Sequence, residues 1–286
     1  MTGPMFTLVW KESFDNAYMV KDDGIMLSEE DIMSIDSMPI GGSPSEVSAI
    51  RNLLHRYGML FQPRQKGQYL NYPKVKYKEI DPGPKAFGRK WERPRPINDP
   101  RALESCCQIQ LEDQGVIEKI DPDQDLLEWN VSINMVIDKY VEVNRVRKPK
   151  YRLCIDSRNA NCRKEVESSP AVSVEKVFQG LAGKSHQSAL DLPKAFFSME
   201  VDVESRKFSS FTHPVTKVRY CFNGMVMGDV NSPSHFQTFM QRVFREEEPY
   251  LDDLAVGDVT FPQHLHHLES IFQRCKENNI SLSPSK

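Results

Sequence analysis

Tyr250-Leu251-Asp252-Asp253 follows Glu248-Pro249 and precedes Leu254-Ala255-Val256-Gly257, and its reading decides the fold. Apolar flanks predict two short strands with the aspartates at the turn between them. Neighbouring carboxylates repel, so a cation is needed to hold them together. Hard oxygens select magnesium, which keeps open positions for water or phosphate. A third carboxylate would complete a site for phosphoryl chemistry. Asp191, in Ser188-Ala189-Leu190-Asp191-Leu192, ends another short apolar stretch and is the candidate.

The 286 residues suffice for one large domain or two small ones, and 39% hydrophobic content supports a packed core. A net charge of -3 argues against a generally basic nucleic-acid binder, but the distribution is uneven. Lys139 to Arg158 holds seven Lys/Arg and two acidic residues, and Pro73 to Arg95 holds eight and three. Residues 1–40 hold two basic and eight acidic residues. Basic runs beside an acidic metal site suit a polyanion gripped by its phosphates, although each run also reads as a solvated face.

Six cysteines show no metal-ligand spacing, so reduced thiols in an intracellular protein are expected rather than a disulfide framework. There is no signal-peptide pattern and no apolar run of membrane-spanning length. His264, His266 and His267 with Cys275 invite a zinc reading, but they fall on a helical pattern with Leu265, Leu268 and Phe272. A helix face is the reading preferred here.

Along the chain, residues 1–45 are acidic and unassigned. Residues 46–100 begin with a helix, Glu46–Tyr57, and continue from Gln62 to Pro100 as an extended arm rich in Pro, Gly and Lys/Arg with little core of its own. Asp99-Pro100 predicts a helix start running toward Gly115. Val131–Asp138 and Tyr151–Asp156 read as strands, with the basic segment between them as the loop of a long hairpin. A short helix over Val172–Leu181 precedes a strand at Ser188–Leu192, which Phe197–Val201 continues after a turn at Pro193. A strand pair follows around His213-Pro214. Ser232-Pro233 starts a helix burying Phe236, Phe239, Met240, Val243 and Phe244, and a last helix runs from about Pro262 to Asn278. Helices interleaved with an antiparallel sheet make an α+β fold.

Taken in order, these segments resemble the fingers and palm of a reverse transcriptase of the retroviral and gypsy-like LTR-retrotransposon group. Lys150-Tyr151-Arg152-Leu153-Cys154-Ile155-Asp156-Ser157-Arg158, with Asn161, resembles the fingers strand that meets the nucleotide. Leu190-Asp191-Leu192-Pro193-Lys194-Ala195-Phe196-Phe197 resembles the first catalytic motif. Gly228-Asp229-Val230-Asn231-Ser232-Pro233 with Phe236-Gln237 resembles the supporting turn and helix, and Tyr250 to Asp253 the YxDD turn. His264 to Lys286 resembles the helix and strand that close the palm. Each motif alone is weak; five in order, with Asp252 lying 61 positions after Asp191, are specific.

The resemblance implies an RNA-directed DNA polymerase, a nucleotidyltransferase of the kind found in retroelement polyproteins, with an antiparallel palm sheet backed by helices. It implies that Asp191, Asp252 and Asp253 are catalytic, and that Asp191, Asp252 and the backbone carbonyl of Leu192 hold two magnesium ions, with manganese as a substitute. Its partners would be an RNA or DNA template with a primer, and deoxynucleoside triphosphates. Nucleotide contacts fall to Arg152, Lys139 (or Arg145, the ungapped alternative), Leu192, Phe196, Met227 and Gly228. Phe196 would stack under the sugar and block a 2′ hydroxyl, while Phe197 is a core residue. Met227 replaces a glutamine or phenylalanine, and Asp229 adds a negative charge near the path of a polyanion. Arg158, Tyr250 and Leu251 would face template and primer, and Lys286 matches a lysine that protonates pyrophosphate.

In this reading residues 101–187 are fingers with part of the palm, and 188–286 are palm up to the primer grip and thumb. Without a thumb, few phosphates are contacted, so this polypeptide alone is expected to be weak or inactive. The implied location is intracellular and cytoplasmic, or inside a virus-like particle; the oligomeric state stays open. Two alternatives remain: a non-catalytic, domesticated or decayed remnant that binds nucleic acid or a partner, and an RNA-copying RNA polymerase sharing the palm.

Overall fold

Two apolar runs far apart in sequence, around Leu190 and around Leu254–Val256, find each other as an antiparallel pair. The computed structural model describes residues 35, 38–62, 64–83, 90–121, 128–143, 146–168 and 173–283. Strand β4 (His186–Asp191) pairs with β7 (Asp253–Asp258) in a continuous register from His186↔Asp258 to Asp191↔Asp253. The element order is α1 (Pro44–Arg56), α2 (Pro100–Ser105), β1 (Ile117–Lys119), β2 (Ile133–Val143), β3 (Val146–Ile155), α3 (Arg158–Asn161), α4 (Val174–Leu181), β4, β5 (Phe211–Thr212), β6 (Arg219–Phe222), α5 (Ser232–Val243), β7 and α6 (Phe261–Glu277). This is an α+β arrangement with antiparallel sheets.

The β4–β7 pair lies in the larger of two cores. Helix α5 contributes Phe236, Phe239 and Met240, and α6 contributes Leu268, Ile271 and Phe272. Helix α1, started by a Ser43–Glu46 capping box, adds Ile50, Leu53 and Leu54. Phe61 meets Phe272 edge-on at 5.8 Å between ring centroids. Each such fully buried ring contributes about 1.5–3 kcal/mol. The second core gathers Leu103, Cys107, Trp129 and Ile133 with Phe208, Phe211, Tyr220, Phe222 and Val226 around the β1-β6-β5 sheet.

Several expectations need correction. The segment after residue 62 has no core of its own, yet it straps the larger core, where Leu70 and Val75 are buried. Leu70 N–H donates to the Ser198 carbonyl at 2.9 Å and Val75 N–H to that of Glu200 at 2.8 Å. The basic stretch expected as a hairpin loop is strand instead: β2 and β3 stay paired out to Val143↔Val146. One ribbon face carries Met135, Ile137, Tyr151 and Leu153, while Lys150 and Arg152 lie opposite, so a two-sided ribbon hides its strand pattern behind interleaved lysines and arginines. The helix expected over 100–115 is α2 followed by a wide π turn at Cys106–Glu112, ending near Gly115 at φ +68°. Residues 197–201 do not extend β4; Ala195–Ser198 is a 3-10 turn. Residues 1–34, Arg145 and Lys286 lie outside the described residues.

Candidate active site

The acid-bearing turn is tighter than two strands and a loop. Tyr250 and Asp253 exchange backbone hydrogen bonds of 3.1 and 3.0 Å, which leaves only Leu251 and Asp252 at the apex. Leu251 sits at φ +51°, a left-handed conformation unusual for a branched residue and characteristic of strained functional turns. The strand proper begins at Asp253. Because residues directly opposite in an antiparallel pair share a sheet face, Asp191 and Asp253 stand side by side. Leu192 N–H donates to the Asp252 carbonyl at 3.1 Å, tying the first acidic motif to the second. Ser283 N–H reaches the Asp191 carbonyl at 2.9 Å, so the chain after α6 flanks the same strand end. Asp191 is buried, Asp252 half-buried and Asp253 exposed.

Gln237 holds this turn, and the sequence reading gave it no such role. Its amide Nε2 donates to the Pro249 carbonyl at 2.8 Å, and its Oε1 accepts from Leu251 N–H at 2.9 Å. Gln237 is 5% exposed. A glutamine on the buried face of α5, among Phe236, Phe239 and Met240, was the available signal.

Phe196 is half-buried and meets Phe236 edge-on at 5.6 Å. Phe197 turns to the second core and stacks on Phe222 at 5.8 Å. Successive residues of a 3-10 turn diverge by a third of a circle, so the two rings part although the segment is not extended.

On the β2–β3 ribbon, Arg152 is exposed and pairs in register with Val136. A bulge between Ile137 and Lys139 makes Lys139 the partner of Lys150. That one-residue shift brings position 139 onto the side of the ribbon that carries Lys150 and Arg152. At the ribbon's base, Asp156 accepts from Arg158 Nε at 2.8 Å and Nη2 at 2.7 Å, and from Arg95 at 3.0 Å. The Arg158 hydrogen bonds hold the Asp156 carboxyl down at about 2. Arg158 is thereby aimed while staying 80% exposed.

Met227 is half exposed, and Gly228 adopts φ +88°. A side chain at Gly228 would meet nothing nearer than Ser157 Oγ at 4.0 Å, so backbone conformation and not space calls for glycine. Asp229, expected as an added negative charge, does not face solvent. It is buried and paired with Lys164.

The histidine cluster forms a network behind the sheet. His264 links Ser188 Oγ (2.8 Å) and Asp258 (2.9 Å). His267 faces Asp258 (3.1 Å) and Glu247 (3.2 Å) through its two ring nitrogens. Cys275 is fully buried, and burial pushes its thiol up beyond the usual range. Among the described residues, no three His, Cys, Asp or Glu side chains form a metal-holding group. A hard divalent ion carried by one or two carboxylates, water and phosphate needs no closed protein cage, and the oxygen donors at Asp191 and Asp252 fit that chemistry. No helix among the described residues is long and apolar enough to cross a membrane.

The sequence profile of the reverse transcriptase (RNA-dependent DNA polymerase) family matches residues 85–286. The chain belongs to this family. It is also similar to the retrovirus-related Pol polyprotein from transposon 412 of Drosophila melanogaster, at 28% identity over 184 residues. That match covers 63% of this chain and 15% of the polyprotein, so the chain spans a small part of its relative. Its fold is similar to part of the foamy viral protease-reverse transcriptase. The structure of that protein with an RNA/DNA hybrid gives a TM-score of 0.69 at 22% identity, covering 86% of this chain and 31% of that one. The form with double-stranded DNA gives 0.68 at 20%, covering 86% and 41%. Reverse transcriptases work with divalent metal ions, in keeping with the paired acids.

Proposed function

We propose that the chain supplies the fingers and palm of an RNA-directed DNA polymerase encoded by a gypsy-like LTR retroelement, adding deoxynucleotides to a primer 3′ end on an RNA or DNA template. The observation that carries this reading is the side-by-side placement of Asp191 and Asp253, with Leu192 bonded to Asp252.

In this reading Asp191 and Asp252, with the Leu192 carbonyl, hold divalent metal, and Asp253 supports them. Two magnesium ions, when bound, supply Lewis-acid stabilisation of the attacking and leaving oxygens of an in-line displacement. Little covalent work then falls to the protein, and its own residues position and exclude. Arg152 holds triphosphate oxygens through a planar guanidinium, with position 139 on the same side of the ribbon. Phe196 rejects a 2′ hydroxyl by sterics. Met227 and Gly228 face the nucleotide, while Arg158, Tyr250 and Leu251 face template and primer. Residues 101–187 make up most of the fingers and 188–286 most of the palm, with 203–226 partly packed into the fingers-side core.

Primer extension on an RNA template with magnesium and deoxynucleotides tests the reading, at saturating primer–template to offset the weak duplex grip expected of this polypeptide. Extension by the wild type that falls at least about 100-fold in Asp191→Asn is expected, the scale of losing a main transition-state contact. Equal extension by both would overturn it.

A further inference from the structure

Lys164 and Asp229 form an ion pair whose side chains are 1% and 2% exposed. The pair lies under Gly228, between the segment that follows α3 and the turn that leads into α5. Lys164 Nζ also sits over the Tyr77 ring at 3.9 Å and the Phe208 ring at 5.0 Å, a cation–π setting that partly replaces lost water. Burial lowers the ammonium's pKa while Asp229 raises it.

A buried pair of this kind is weak evidence for stability, because desolvation consumes much of the attraction and apolar replacements often fold as well. What it does provide is a fixed distance between two chain segments. Further polar links join the same two segments. Asn161 Nδ2 donates to the Gly228 carbonyl at 2.8 Å and its Oδ1 accepts from Val230 N–H at 3.1 Å. Asn231 Oδ1 accepts from Glu167 N–H at 3.0 Å and its Nδ2 donates to the Glu165 carbonyl at 2.9 Å. Inside the turn, Asp229 Oδ1 accepts from Asn231 N–H at 3.0 Å. The charged contact stands at the centre of this lattice, next to the one residue in the turn with a positive φ.

We propose that the Lys164–Asp229 pair is the positioning device for the Met227–Gly228 turn, fixing from inside the protein the backbone that faces the incoming nucleotide. The part concerning the nucleotide rests on the polymerase reading; the part concerning the turn does not.

The test is the double variant Lys164→Met with Asp229→Leu, which leaves an apolar interior and no orphaned charge. Amide hydrogen exchange reads the turn at Val230 and Glu167, whose acceptors are Asn161 and Asn231 and not the replaced carboxylate. Exchange at both is expected to quicken by about tenfold while the amides of β4 keep their protection. Single-nucleotide incorporation on the full chain with saturating primer–template is expected to show a KM for the deoxynucleotide raised by about tenfold, with kcat changed less. Lys164→Gln with Asp229→Asn replaces the ion pair by neutral amides, orphans no charge and keeps the acceptor for Asn231, and is expected to move both readouts the same way by less; it decides the matter if the first double variant does not fold. Unchanged exchange, or faster exchange with an unchanged KM, overturns the proposal. A wild-type chain that incorporates nothing even at saturating primer–template, where weak duplex affinity no longer limits it, overturns the polymerase reading and the nucleotide part with it, and the exchange data then decide the turn alone.

Discussion

Asp191 and Asp253 are register partners at the end of the β4–β7 pair, and Leu192 closes the gap to Asp252 with a 3.1 Å backbone hydrogen bond. Three carboxylates from motifs 61 positions apart therefore share one strand end. Their mutual repulsion is the physical reason to expect a cation there.

Metal should stabilise the chain through this cluster. Magnesium at about ten times its dissociation constant is expected to add roughly 1.4 kcal/mol. A thermal melt with and without magnesium checks this, and Asp191→Asn should lose the upward shift. A shift that survives in Asp191→Asn places the ion elsewhere.

Gln237 is expected to govern the acid turn. Gln237→Leu leaves the Pro249 carbonyl and the Leu251 N–H without their partner, a cost of about 1–3 kcal/mol each before relaxation. Denaturant melts should show lowered stability, and primer extension should fall by more than the folded fraction does. Full activity in Gln237→Leu would show that the left-handed Leu251 is held by the strand pair alone.

Phe196 packs on Phe236 and so has both a structural and a selective part. Phe196→Ala should destabilise modestly, as a half-buried ring does, and should relax discrimination against ribonucleotides by about 10- to 100-fold. Competing deoxy- and ribonucleotide incorporation measures it. Unchanged sugar preference would assign Phe196 to packing only.

His267 gives a pH signature with a definite sign. Both ring nitrogens face carboxylate oxygens, which only accept, so the doubly protonated ring is favoured. The Glu247 hydrogen bond leads in raising its pKa above 6.5. A raised folded-state pKa contributes stability in full below 6.5, lost as pH rises through the folded value. His267→Gln should therefore destabilise most below pH 6.5 and least on the alkaline side. Glu247 carries the opposite sign: burial raises its pKa, but bonds from His267 and Arg274 outweigh that and hold it at about 2. Its contribution is present above 4.5 and drains away as pH falls toward 2. Melts of wild type and His267→Gln across this range check both slopes.

The acidic motifs were legible because an aspartate at the end of a short apolar run is a local pattern, readable at Leu190-Asp191 and at Asp252-Asp253 alike. The helices burying Phe236 and Phe272 were legible for the same reason, since helical periodicity is local. What escaped was non-local. No sequence rule says that Asp191 faces Asp253 rather than Asp252, nor that Lys164 reaches Asp229 across 65 positions. Asp229 was therefore read as an added negative charge when it is buried and paired with a cation. The β2–β3 ribbon was cut short because lysines and arginines interrupt its apolar residues, and the bulge that realigns Lys139 leaves no mark in composition. Gln237 looked like a polar interruption in an apolar face, and its worth lies in two backbone groups on another element.

The most direct measurement replaces magnesium with iron(II) in the full chain bound to primer–template and maps the backbone cuts made by locally generated hydroxyl radicals. Cuts at both 190–193 and 251–253, both lost in Asp191→Asn, are the predicted result. Cutting at only one of these segments, or at neither, would contradict a metal centre shared between them.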